Sequence, residues 1–229
     1  MSMIINSLKA PYAEMLGTTD ITAIRKSLGE DKSERWGFVL IRCTYSSQEA
    51  WEKFLRLAKQ DAYDYFEQRG MEESDVYANL VWTVIEDADT LDGASYLDTS
   101  RRFEAWLESE GKHEKREIKF PNMWRNCPRY SYFLHVDQES LESVVDDEKA
   151  KTKAGYYCMM VQSGNVLLAE AEAESENEWA TEDEDEDEDA FYDQRKRVHV
   201  HELVSWYALL LWDENWYHVS VDDGIANCF

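Results

Sequence analysis

Arg42, Glu86 and His135 are the side chains whose types and settings best suit chemistry. Each lies in, or ends, a run rich in β-branched and aromatic residues: Trp36-Gly-Phe-Val-Leu-Ile-Arg-Cys-Thr-Tyr45, then 80–86, then 130–136. Such runs read as β-strands, whose side chains alternate between two faces. Trp36, Phe38, Leu40, Arg42 and Thr44 share one face of the first. Trp82, Val84 and Glu86 share one face of the second, and Ser131, Phe133 and His135 one face of the third. If these faces coincide, Trp36, Phe38, Tyr45, Trp82 and Phe133 wall a surface on which Arg42, Glu86 and His135 converge. An apolar wall with a few convergent ionisable groups is the usual form of a small-molecule pocket. There His135 would serve as general acid or base near neutral pH. Glu86, raised by apolar walls, would give or take a proton. Arg42 would hold a carboxylate or an enolate. The competing reading makes the aromatics core beneath the C-terminal segment, with Arg42 and Glu86 in one buried ion pair.

Other candidates carry weaker signals. Asp137 lies two residues after His135 and could orient the imidazole, but it also stands where a helix N-cap belongs. Glu86-Asp87-Ala-Asp89 could hold a hard cation, yet no Asp/Asn-Gly calcium loop follows, so a polar turn is expected. His199-Val-His201 puts two imidazoles on one strand face. A zinc site needs a third and usually a fourth ligand, and nothing in the spacing of His218 or Glu202 requires one, so no metal is expected. Asp92-Gly-Ala-Ser95 reads as a turn plus cap. Cys43, Cys127, Cys158 and Cys228 are scattered and fit a reducing compartment. No Gly-rich phosphate loop or nucleophile elbow occurs, and no cofactor is expected.

The elements that must position these groups follow from periodicity. A short helix is expected at 20–28. Ser46-Ser-Gln-Glu49 forms a capping box before Trp51, Phe54, Leu55, Ala58, Ala62 and Tyr65, with Gly70 as the stop. Further helices fall at 95–110 and just after Asp137. Strands are expected at 156–161, 198–201 and 216–221, with a helical face at Leu203, Val204, Tyr207, Leu210 and Leu211. Residues 112–128 read as a surface excursion. The order β-α-β-(α)-β-α-β plus a β-α-β tail predicts an α+β fold, a ferredoxin-like split βαβ sandwich with an inserted helix. A wholly parallel doubly wound sheet is the alternative, disfavoured by the lack of Gly-rich β-to-α turns. The boundaries are 1–35 (helical extension), 36–168 (core), 169–194 (acidic loop) and 195–229 (C-terminal extension packing on the core).

Of 229 residues, 48 are acidic and 24 basic, for a net charge of −24. Thirteen of the acids fall within 170–189, which has no base, and 182–189 is an unbroken acidic run. Composition makes this stretch disordered or a solvated loop. A chain without a basic excess is not expected to bind nucleic acid or an anionic membrane surface. No 18-residue apolar run and no signal-peptide core is present, so a cytoplasmic location is expected, with the nucleus as the alternative.

The strand at 36–45 resembles that of a large group of uncharacterised filamentous-fungal proteins with a Trp-Gly-Phe-Val run followed by Arg-x-Thr-Tyr. The likeness continues at Val81-Trp-Thr-Val-Ile-Glu-Asp87, Leu91-Asp-Gly-Ala-Ser95, Arg101-Arg-Phe-Glu-Ala-Trp106, Tyr132-Phe-Leu-His-Val-Asp137, the acidic run and Asn215-Trp-Tyr217. It implies kinship with proteins of fungal natural-product settings and carries no established activity. The functional expectation is a cofactor-free enzyme or binder of a hydrophobic small molecule, of the cyclase (pericyclase), isomerase or dehydratase (lyase) kind, acting as a monomer or homodimer. The alternative is an interaction or regulatory module that binds a basic protein partner through 170–189.

Overall fold

The structure is a computed structural model. It describes residues 20–30, 35–114, 127–145, 155–164, 166–167, 194–212, 215–219, 221–222 and 224–226. The acidic run at 170–189 lies outside them.

Strands β1 (Val39–Arg42), β2 (Thr83–Ile85), β3 (Tyr132–Val136), β4 (Tyr157–Gln162), β5 (Arg195–His199), β6 (Val221–Asp222) and β7 (Ile225–Ala226) form one mixed sheet, ordered β2-β1-β3-β4-β5-β7-β6. The main helices are α1 (Asp20–Glu30), α2 (Gln48–Glu67), α3 (Tyr96–Ser109), α4 (Gln138–Val145) and α5 (Leu203–Leu209). The expected α+β class stands, but the arrangement departs from a split βαβ sandwich. β1 pairs in parallel with both β2 and β3, and antiparallel pairing begins only at β3–β4 and β4–β5. Two crossovers, through α2 and α3, place β2 and β3 on either side of β1, as in half of a doubly wound fold.

Parallel strands covered on both faces read as unbroken apolar runs. Phe38-Val-Leu-Ile41 and Tyr132-Phe-Leu134 are such runs, and every residue of β1 and β3 is buried. α2 covers one face. Its N-cap is Ser47, one residue past the expected Ser46, whose hydroxyl accepts from the Ala50 amide. Ala50, Trp51, Phe54, Ala58, Ala62 and Phe66 are its buried stripe. α4 packs beside it, and α5 packs on α1, with Tyr207 edge-on to Trp36 and Phe38. α3 covers the other face, where Phe103 meets Phe133 at 5.1 Å. A Ser95–Asp98 capping box starts α3, after a turn at Gly93 (φ +68°), as the 92–95 motif predicts. The strand expected at 216–221 begins instead as a helical turn, Asn215–His218, that buries Trp216.

Nor is 112–128 simply a surface excursion. Residues 115–126 lie outside the described set, but Cys127 and Pro128 are buried, as is the neighbouring Arg129, and Glu114 is only partly exposed. Arg129 is fully buried, and all five of its N–H groups are used. It grips Glu114 through Nε (2.7 Å) and Nη2 (2.9 Å), and donates to Gly37 O, Val81 O and Thr83 Oγ1. Among the described residues, no helix is long and apolar enough to cross a membrane.

Candidate functional site

In an open sheet with parallel strands, ligands bind outside the strand C-termini, where successive connections leave to opposite faces. Here that place is the crest above β1 and β3. It carries Arg42 to Gln48, Glu86 and Asp87, and His135 to Gln138. The loops there are stitched together. Gln138 Oε1 accepts from Thr44 Oγ1 (2.8 Å) and Ser46 Oγ (2.5 Å). The Asp87 amide donates to Tyr45 Oη (2.7 Å), and the Gly93 amide to Cys43 O.

Register splits the expected residue set between two faces. Ile41 pairs with His135 and Leu40 with Val84. Arg42 therefore shares the α2 face with Trp82 and Glu86, whereas His135 lies on the α3 face with Cys43. Trp36, Phe38 and Phe133 are fully buried between sheet and helices and offer no wall to a ligand. Among the described residues β1 and β3 present no open aromatic face, because both of their sides are covered. Tyr45 and Trp82 alone of the five aromatic candidates are partly exposed.

Arg42 is 4% exposed and held between two rings, 4.4 Å from the Tyr45 centroid and 5.1 Å from that of Trp51. Its Nε donates to Thr44 O (2.8 Å) and its Nη1 to Gln48 Oε1 (2.9 Å). Glu86 lies 3.5 Å from Nη1, with its side chain 45% exposed, so the pair is a surface-edge contact rather than a buried bridge. Nη2 makes no hydrogen bond among the described residues and is not one of the buried atoms left unpaired, so it reaches solvent. A buried guanidinium that leaves a donor toward the crest is poised for an anion.

His135 does not match its expected acid–base role. Burial outweighs the nearby Asp137 charge and holds its ionisation down to about 4, so the ring is neutral at pH 7. Its Nδ1 faces Thr99 Oγ1 (3.2 Å) and Cys43 Sγ (3.4 Å). The Thr99 hydroxyl donates to the Ser95 and Tyr96 carbonyls, and the Cys43 thiol to Ile41 O. With those hydrogens committed, Nδ1 carries the ring proton and Nε2 keeps its lone pair. Tyr96 packs on the ring at 4.6 Å. Burial also pushes the Cys43 thiol far up, so no thiolate–imidazolium pair forms. Asp137 accepts from Ser140 N and Oγ, which makes it a cap rather than an orienter of His135.

A pH titration of the folded chain by NMR should show the His135 ring signals unmoved from pH 8 to about 5. The folded value lies below the ordinary 6.5, so the unfolded chain takes up this proton first. His135 thus contributes stability above that range, lost as pH falls from 6.5 toward 4. A ring titrating near 6.5 in the native state would contradict the lowered ionisation that burial imposes.

The sequence reading found Arg42 and Glu86 but missed Gln48 and Trp51 as companions of Arg42, and Gln138 as the group that ties the loop after β1 to β3. Only the strand pairing brings 138 beside 44–46. No family model, curated protein or solved structure matches the chain.

Proposed function

We propose that the chain binds a largely apolar small molecule bearing an acidic group at the crest of β1 and β3, and acts on it without a resident cofactor. Supporting this is one observation above the rest: the buried, ring-clamped Arg42, whose Nη2 reaches solvent and makes no hydrogen bond among the described residues. The half-exposed Tyr45 and Trp82 supply apolar contact, and Glu86, beside Arg42, is the group placed to move a proton. His135 acts as a neutral acceptor or a packing group. Proton-transfer isomerisation, dehydration or shape-directed cyclisation fits this set.

The test uses trans-cinnamate as an aryl carboxylate and cinnamyl alcohol as its neutral analogue, each titrated into the isotopically labelled chain. Cinnamate should shift amides at 43–48 and 86–88, and the alcohol should not. Arg42→Gln should weaken the response at least about tenfold, the scale of one charge-assisted hydrogen bond. Shifts elsewhere, or an unchanged Arg42→Gln, would defeat the reading.

The alternative, an acidic module with a basic protein partner, has its own support in where 170–189 is inserted. That segment joins the antiparallel neighbours β4 and β5, and Gln162 N donates to Gln194 O at their mouth (3.0 Å). Gln162 pairs with Tyr132, at the start of β3, so the insertion leaves from the end of the sheet opposite the crest. Deleting 170–189 should therefore leave the cinnamate response intact. Loss of that response would count against a site confined to the crest.

A further inference from the structure

His199 ends β5, and His201 lies in the 3-10 turn that follows it (Val200–Glu202). Their ring centroids are 5.0 Å apart, with the planes tilted by 37°. His199 is 6% exposed, and its Nδ1 has no hydrogen-bond partner. A buried polar atom left unpaired is costly and uncommon, and calls for a physical reason. Gly155 (φ +52°) stands opposite. A methyl on it would lie 3.4 Å from His199 Nδ1 and 3.9 Å from His201 Cε1. The gap bordered by both imidazoles is thus kept open by a residue with no side chain. Burial and the His201 charge hold the His199 ring below its ordinary ionisation, which leaves a lone pair free at neutral pH.

The ring spacing fits a shared ion. An imidazole nitrogen binds a first-row metal at about 2.0–2.1 Å, which sets the metal about 3.2 Å from the ring centre. Two ring centres 5.0 Å apart would subtend about 100° at an ion that a nitrogen of each ring faced, the cis angle of tetrahedral or tetragonal ligation. We propose that His199 and His201 form a bidentate site for an imidazole-preferring divalent transition ion, Cu2+ most tightly and Ni2+ or Zn2+ more weakly. That order is the general affinity series for nitrogen ligands. Among the described residues, no group of three or more His, Cys, Asp or Glu is placed to hold a metal. Water completes the coordination, so the ion is exchangeable rather than a structural staple. Hard cations such as Mg2+ and Ca2+, which need oxygen ligands, are refused.

The experiment titrates the untagged full chain with copper sulfate against a glycine competitor, read by tryptophan quenching and electron paramagnetic resonance. One ion per chain should bind, with hyperfine coupling to two imidazole nitrogens. His201→Ala alters an exposed residue, so circular dichroism should not change while affinity falls by more than about tenfold. Gly155→Ala should weaken binding too, because its methyl would lie against His199 Nδ1 and the positive φ would strain the backbone beside the rings. His113→Ala, at an exposed position elsewhere, should leave the affinity unchanged. Absence of one-to-one binding, or wild-type affinity in His201→Ala, overturns the assignment.

Discussion

Replacing Arg129 by Met lowers the unfolding free energy by about 3–5 kcal/mol, the cost of removing one partner from a buried ion pair. That is a large share of the roughly 5–15 kcal/mol typical of a folded chain. The loss has several sources. Glu114, its side chain 10% exposed, loses its two short charged bonds and keeps, among the described residues, the longer ones from the Tyr130 hydroxyl (3.3 Å) and Arg35 Nη1 (3.4 Å). Gly37 O, Val81 O and Thr83 Oγ1 lose their donor. The guanidinium also leaves the face of Trp106, 5.5 Å away. Glu114→Gln should cost less, because an amide oxygen still accepts from Arg129 and the three other acceptors keep their bonds. Urea melts of the two variants check this order. The pair also gives stability a pH slope. Burial pushes the Glu114 carboxyl up, but the Arg129 hydrogen bonds and charge outweigh it, and the net shift is downward. Its contribution is present above the ordinary carboxylate range and is lost as pH falls through the lowered folded value. Arg129→Met should flatten that slope. Equal costs for the two substitutions, or a loss well under 1 kcal/mol for Arg129→Met, would mean that the pair is not the clasp its geometry describes.

Gly37→Ala should be nearly as damaging, by about 3 kcal/mol or more, for a backbone reason. Gly37 has φ +101°, a region that L side chains rarely adopt. A Cβ there would lie 2.7 Å from Val81 O and 2.8 Å from Leu80 Cδ1. The first of these is backbone and cannot rotate away. It is also held on the other side, because the Val81 amide donates to Trp36 O and Trp36 N to Asn79 O. Relief requires β2 to move off β1, and Val81 O is one of the acceptors that Arg129 uses. The two substitutions therefore strike one junction, and the double variant should cost clearly less than the sum of the singles. Full additivity in a double-mutant cycle would show that they act on separate parts of the sheet.

Much of the element order was legible in the sequence, because amphipathic periodicity and caps are local signals. Trp51, Phe54, Ala58 and Ala62 on α2, and the Ser95 start of α3, lie where spacing puts them. Strand pairing was not legible. A β-α-β-α-β order suits several sheets, and the absence of Gly-rich turns weighed against parallel strands. In the structure the helices that follow those strands begin with Ser47, Asp87 and Ser95 side-chain caps, with one glycine, Gly93, in the turn before Ser95, rather than with Gly-rich loops. The unbroken apolar runs in β1 and β3 were the available sign of a sheet covered on both sides. At the crest, Arg42 and Glu86 share a face because they belong to parallel neighbours in register. His135 does not, because a one-residue offset in pairing reverses a side chain's face. The buried role of Arg129 had no local signal at all. Its partners lie 15, 46, 48 and 92 residues away.

Those separations bear on the order of assembly. Glu114 lies 15 residues from Arg129 along the chain, so the two can meet early. The acceptors on Gly37 and Val81 come into reach only when β1, β2 and β3 have docked. Contacts that close last are absent from the folding transition state, so their loss appears as faster unfolding rather than slower folding. Arg129 on this view is a latch on the finished sheet: it sets how long the native chain lasts, and has little say in how quickly it is reached.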